Sequence, residues 1–321
     1  MECCRNVLLP LVYEEANRQL QKGGAKSTIS IADVVAYSLN RIPPLFIARE
    51  AEWEAHRQLF PQRMGEKIAE VVYQGILQAR KPRLESVTPL STGELLTPML
   101  SLLRLRELLK KPQMTWSELP QTLETCLLGI NRSSGTPSIK MVVTRKEETE
   151  QLASSADYED YLLPATMKMV HGIEQLVHRL SVSRLETLPP KLAPYARLIR
   201  VDEVVAVALN CLPPMYATTD QGLKRLRYHS RMQIGSQIAE VVTRAVITIG
   251  QEASKNFAVP PLLFQKIRQE RQEGITRVNW MLKRKDITWE NSHSMILEAI
   301  DRLRLTGELD WQRITPVAEN G

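Results

Sequence analysis

Guanidinium groups and aromatic rings crowd one stretch of this sequence. Tyr195, Arg197 and Arg200 precede a Pro213-Pro214 pair, Asn210 stands just before it, and Tyr216, Thr218, Lys224, Arg225 and Arg227 follow. Arginine can fork two N–H groups onto phosphate oxygens or onto the O6/N7 edge of guanine. A flat ring or guanidinium plane can stack a base. The sequence offers no comparable set for catalysis. It contains no GxSxG, HExxH, P-loop or GxGxxG pattern. The acidic pairs Glu14-Glu15, Glu52/Glu54 and Glu147-Glu148 have no nucleophile or metal ligand arranged beside them. Cys3, Cys4, Cys126 and Cys211 lack CxxC or Cys/His spacing, so neither a disulfide framework nor a zinc site is expected. His171 and His178 lie two helical turns apart, too far to share a metal from one helix. The expectation is a protein that is not an enzyme, with no metal and no cofactor.

The elements that must position the cluster are helices, and they occur twice. IADVVAYSLNRIPPLF, from Ile31 to Phe46, recurs 170 residues later as VDEVVAVALNCLPPMY, from Val201 to Tyr216. The register holds without a gap to MGEKIAEVV (Met64 to Val72) and IGSQIAEVV (Ile234 to Val242). Ile31, Val34, Val35, Ser38, Leu39 and Ile42 follow the spacing of one helical face, as do Val201, Val204, Val205, Ala208, Leu209 and Leu212. Asp33 and Glu203 fall in the first turn, where the helix dipole favours negative charge. Pro43-Pro44 and Pro213-Pro214 stop the helix. Asn40 and Asn210 fit C-terminal caps. Tyr216 aligns with Phe46, which favours a core position. Before these helices, VLLP (Val7 to Pro10) is echoed by YLLP (Tyr161 to Pro164), which makes Tyr161 the expected start of the second copy's first helix. After them, LLKKPQMTWSEL (Leu108 to Leu119) resembles MLKRKDITWENS (Met281 to Ser292), so each copy is followed by a short helical appendage opening near Thr115-Trp116 or Thr288-Trp289. Trp116 and Trp289 read as appendage core residues. The expected organisation is a first copy over 1–80, a linker and appendage over 81–155, a second copy over 156–255 and a C-terminal appendage over 256–321.

A chain of 321 residues with 43% hydrophobic and 24% charged residues has the composition of a globular protein with two ordinary domains. Aromatics are 5%, so the cores must be mainly aliphatic. No apolar run approaches a membrane span and the first residues do not read as a signal peptide, so a cytoplasmic location is expected. The formal charge of +6 is spread over both halves and points to an anion without identifying it. Between the copies the balance differs. Residues 201–231 hold Lys224, Arg225, Arg227 and Arg231 against Asp202, Glu203 and Asp220, whereas residues 31–61 hold Arg41, Arg49 and Arg57 against Asp33, Glu50, Glu52 and Glu54. A single retained anion site would sit on the second copy.

The block KLAPYARLIRVDEVVAVALNCLPPMYATTDQGL, followed by QIAEVV, resembles the late competence development ComFB family as found in cyanobacteria. The first copy matches through Asn40, Pro43 and Pro44 and departs afterwards, with IAREAEWEAH where the second has ATTDQGLKRL. The resemblance implies an all-α fold of two tandem small helical domains paired about a pseudo-two-fold axis, with no enzymatic activity. It further implies a receptor for a cyclic dinucleotide, cyclic di-GMP, that signals to a protein partner in competence, pilus or motility control. For such a ligand the candidate contacts are Tyr195, Arg197, Arg200, Asn210, Tyr216, Thr218, Lys224, Arg225 and Arg227. The alternatives are a nucleic-acid-binding regulator, with KKPQMTW and KRKDITW opening helix-turn-helix units, or a helical interaction scaffold without a small ligand.

Overall fold

The computed structural model describes residues 4–22, 29–81, 88–132, 158–255 and 260–314. The fold is all-α, with short two-residue strands as its only sheet among the described residues. Part of the linker and appendage expected over 81–155, including Glu147-Glu148, falls outside the described residues, as does Cys3. The chain divides into two compact units. One comprises Met1–Leu95 and Met167–Phe264, and the other Leu96–Thr166 and Gln265–Gly321.

The first unit contains both copies. In copy one, β1 (Arg5–Asn6) leads into α1 (Leu8–Lys22), followed by α2 (Ile31–Leu39), β2 (Phe46–Ile47) and the long α3 (Glu50–Ala79). In copy two, β3 (Val170–His171) leads into α8 (Glu174–Glu186), then α9 (Val201–Asn210), β4 (Tyr216–Ala217), α10 (Asp220–Gln233) and α11 (Gly235–Lys255). Each copy packs three helices through an aliphatic seam. Val12 and Ala16 of α1 meet Val34, Val35 and Leu39 of α2 and Ile68, Val72 and Ile76 of α3, all buried. Val177 of α8, Val204, Val205 and Leu209 of α9, and Ile238, Val242 and Val246 of α11 repeat the arrangement. Each such valine, leucine or isoleucine contributes about 1.5–3 kcal/mol by leaving water. The stripe read from the sequence is therefore the core.

The start of the second copy differs from expectation. Tyr161 opens no counterpart of α1. It lies in α7, described over 158–166, which belongs to the second unit. The equivalent of β1 is β3: Asn6 pairs with Phe46, and His171 pairs with Tyr216. His171 thus stands 165 positions after Asn6, against 170 between Ile31 and Val201, so the connection preceding α9 is only slightly longer than its counterpart. The physical reason is a competing partner. Tyr158, next to Tyr161, donates to Glu270 Oε2 at 2.5 Å and accepts from the Trp116 amide at 3.2 Å, which ties α7 to the appendages.

The appendages themselves form the second unit. α5 (Pro98–Leu108) and α6 (Leu119–Arg132) follow copy one through the short α4 (Thr92–Leu95), and α12 (Gln265–Met281) and α13 (Ser292–Thr306) follow copy two. α5 packs on α13, and α6 on α12 and α13, so the two appendages embrace each other. Their likeness extends to the backbone. α5 and α12 both end through a lysine with positive φ, Lys110 at 53° and Lys283 at 51°. In both, the next amide bonds back to the carbonyl five residues earlier, Lys111 to Arg106 and Arg284 to Asn279. Thr115 and Glu118 cap α6 reciprocally: the Thr115 amide donates to Glu118 Oε2 at 3.0 Å, and the Glu118 amide donates to Thr115 Oγ1 at 3.3 Å. Trp116 is fully buried and Trp289 half-buried.

Leu119, Leu123 and Leu127 of α6 are consumed by this packing, and its exposed Gln121 and Thr125 are uncharged. A helix entering a DNA groove needs cations on its outward side, and α6 does not present them at these positions. One contact in this unit sets a strict size limit. A Cβ added to Gly274 in α12 would stand 2.2 Å from the Trp116 carbonyl oxygen. Gly274→Ala is expected to cost about 2 kcal/mol, because the obstacle is backbone and cannot rotate away. Urea denaturation showing an unchanged midpoint would contradict this close approach.

Candidate functional site at the junction of the two copies

Asn210, Tyr216 and Thr218 lie where copy two meets copy one, and the junction is built from reciprocal parts. β4 bonds to β3 on one side only. On its other side the Tyr216 amide donates to Asn40 Oδ1 at 2.7 Å, and Asn40 Nδ2 donates to the Tyr216 carbonyl at 2.9 Å. The mirror arrangement holds for β2: the Phe46 amide donates to Asn210 Oδ1 at 2.5 Å, and Asn210 Nδ2 donates to the Phe46 carbonyl at 2.9 Å. Each asparagine side chain therefore acts as a one-residue strand that closes the other copy's open edge. Asn40 is the C-cap of α2, as expected, whereas Asn210 is the last residue of α9, one before the cap at Cys211; the side chains of both bridge the copies.

From these clamps each strand runs along the other copy's second helix toward its N-terminus. There Thr218 donates to Asp33 Oδ1 at 2.5 Å, and Arg49 Nε donates to Glu203 Oε1 at 2.5 Å. The two acids that the sequence assigned to the helix dipole thus also bind across the junction. Arg49 additionally approaches Glu52 at 3.3 Å and Glu252 at 3.9 Å. The segments after each copy cross over as well. Pro89 bridges to Thr219, with the Asp220 amide donating to the Thr88 carbonyl at 3.1 Å. Leu262 bridges to Arg49, with the Leu263 amide donating to the Ala48 carbonyl at 2.7 Å.

Tyr216 is buried, as its alignment with Phe46 indicated. Its ring stands edge-on to His171 at 4.8 Å, and its hydroxyl accepts from Asn6 Nδ2 at 3.1 Å. Burial pushes its phenol well above the ordinary range. The sequence places His171 and His178 on one helix, whereas His171 is in β3 and only His178 is in α8. His171 lies buried between Phe46 and Tyr216, with Nε2 accepting from the Met215 amide at 3.2 Å. Asn6 does the same work in copy one, accepting from the Leu45 amide at 3.3 Å. Burial lowers the His171 pKa to about 4 against the pull of Glu174.

The remaining candidates separate into two groups. Tyr195 lies in a 3-10 turn (Ala193–Tyr195), and Arg197 and Arg200 follow it to the start of α9, close in sequence to Glu203 and its Arg49 partner. Arg197 is exposed, while Tyr195 and Arg200 are half-buried. Lys224, Arg225 and Arg227 lie on α10, beyond β4, on the side where Thr218 meets Asp33. Lys224 pairs with Asp220 at 2.6 Å. Arg227 is engaged inward. It forks onto both oxygens of Glu94 at 2.5 and 2.6 Å and holds that carboxyl below its usual range. Neighbours in sequence are thus parted in space, because β4 carries the chain across to the other copy. Asn210, Tyr216 and Thr218 serve the junction. Sequence reasoning missed Asn40, Arg49, Asp33 and Glu203 as junction residues. Their recurrence at one spacing was the available signal, but nothing in a sequence says that a repeat contacts its own copy's counterpart. Among the described residues, no cluster of three or more His, Cys, Asp or Glu side chains could hold a metal ion, and no helix is long and apolar enough to cross a membrane.

Two helical repeats that complete each other's strand edges form, within one chain, the arrangement other proteins reach by dimerising. The family model for the late competence development protein ComFB matches residues 5–82 and again residues 172–253. The chain belongs to that family and carries two tandem ComFB domains. The second match begins at Gly172, directly after β3, in agreement with the structural repeat. No curated protein and no solved structure matches the chain.

Proposed function

We propose that this protein is a non-enzymatic signalling receptor that binds the cyclic dinucleotide cyclic di-GMP and relays its occupancy to a protein partner. The observation that carries the reading is the pair of ComFB domains locked across a junction whose rim brings arginines from both copies to the start of α9. Tyr195, Arg197 and Arg200 supply a ring and two guanidinium groups for base and phosphate. Arg49 of the first copy, held there by Glu203, is a cation that a phosphate could draw away from its carboxylate. Ligand charge at this point would then be felt by both copies at once, which is what a relay requires. Lys224 and Arg225 are the secondary contacts, and the role lies in competence, pilus or motility control.

Calorimetric titration with cyclic di-GMP, with cyclic di-AMP and GTP as controls, tests the reading. Saturable heat with cyclic di-GMP alone is expected, and Arg197→Ala and Arg200→Ala should each weaken it about tenfold. Wild-type protein that gives neither heat nor thermal stabilisation would overturn the receptor reading. Unchanged affinity in both variants would overturn the site.

A further inference from the structure

The outward face of α10 carries a set of side chains that the junction does not use, and of these only Lys224 and Arg225 enter the proposed receptor site, as its secondary contacts. The helix is fastened from beneath by Leu223, which joins Leu90 and Ala217 in a small apolar cluster with Leu226, and by Arg227 on Glu94. Its opposite face exposes Tyr228, at 68%, and Met232, at 67%, one turn apart. Around Tyr228 on the same face lie Lys224 at i−4, Arg225 at i−3 and Arg231 at i+3, all exposed. The one acidic residue of the helix, Asp220, is at its first turn and paired with Lys224. Copy one has nothing similar at these positions: 170 residues earlier stand Glu54, Ala55, Gln58, Pro61 and Gln62. The set is therefore specific to the second copy and is not a requirement of the fold.

We propose that this face of α10 is a binding platform for single-stranded nucleic acid. Tyr228 stacks a base, Met232 extends the apolar surface, and Lys224, Arg225 and Arg231 neutralise the flanking phosphates. Two observations select this occupant over a protein. A stable protein interface buries about 800 Å² on each side, and two exposed apolar side chains on one convex turn fall far short of its core. A single strand needs only an aromatic face and cations along its backbone, since stacking on one ring is worth about 1–3 kcal/mol per base. The helix also carries cations in excess, with Lys224, Arg225 and Arg231 on this face against the single carboxylate of Asp220, as a polyanion demands.

The test is fluorescence anisotropy of the full-length protein with labelled oligo(dT) and oligo(U) of about 15 nucleotides, long enough to cover such a platform. Wild-type protein should bind both. Tyr228→Ala should weaken binding about tenfold while Tyr228→Phe retains it, because stacking needs the ring and not the hydroxyl. Arg231→Ala should reduce the slope of log affinity against log salt by about 0.7. Equal binding by Tyr228→Ala and wild type would overturn the proposal. So would a blunt duplex competing as well as the single strand, or polyglutamate binding that depends on Tyr228, which would indicate an acidic protein partner. Because these variants lie on α10 and the receptor variants precede α9, cyclic di-GMP binding and oligonucleotide binding stand or fall separately.

Discussion

Replacing both Asn40 and Asn210 by alanine is expected to destabilise the paired copies by about 4 kcal/mol. Each substitution removes two hydrogen bonds and leaves the amide and carbonyl of one strand residue without their partner, Tyr216 in one case and Phe46 in the other. Stranding a buried polar group costs about 1–3 kcal/mol, and the partial burial of these sites sets about 2 kcal/mol for each clamp. Asn→Asp should be nearly as damaging as Asn→Ala. A carboxylate can still accept from the strand amide, but it faces the strand carbonyl with no proton to donate. Urea denaturation of the single and double variants measures the effect. Loss of less than about 0.5 kcal/mol in each single variant, the scale of an ordinary surface substitution, would show that the clamps are incidental.

The second large effect is a pH dependence centred on His171. Its Nε2 accepts from the Met215 amide, so the neutral ring carries its proton on Nδ1, which is buried without a hydrogen-bond partner. Protonation would break the accepted bond and place a cation between Phe46 and Tyr216. The folded pKa of about 4 lies below the ordinary value of 6.5. The stability tied to the neutral ring is therefore complete above pH 6.5 and is lost as pH falls toward 4. The full loss is about 3 kcal/mol. His171→Asn gives copy two the residue that copy one already uses at this place, Asn6. That variant should retain an acceptor for the Met215 amide and lose much of the acid sensitivity, whatever its stability at neutral pH. Parallel midpoint-against-pH curves for wild type and variant would remove His171 as the cause.

The sequence carried the helices well and their partners poorly. Val34, Val35 and Leu39, with Val204, Val205 and Leu209, announced two buried faces because helical spacing is a local property. The start of copy two was misplaced because VLLP and YLLP look alike, while α8 shares with α1 only scattered identities such as Val177 with Val12, and β3 shares none with β1. Burial of a histidine in one copy and an asparagine in the other satisfies the same backbone amide with unlike side chains, which no residue-by-residue comparison detects. The basic cluster was legible as composition, yet its members part because β4 crosses to the other copy between Arg200 and Lys224. Trp116 and Trp289 were legible as appendage core residues, and only the packing shows that the two appendages cover each other.

The reciprocal asparagine clamps have a consequence for how the protein responds to its own concentration. A dimer of separate chains comes apart on dilution, and its two halves are necessarily identical. Here the second half arrives on the same polypeptide, at an effective concentration of about millimolar order whatever the amount of protein present. The pairing therefore survives at low copy number. The two halves are also released from sameness: one can keep Tyr228 and its ring of cations while the other carries Glu54 and Gln58 in the same places, and every molecule still contains one of each.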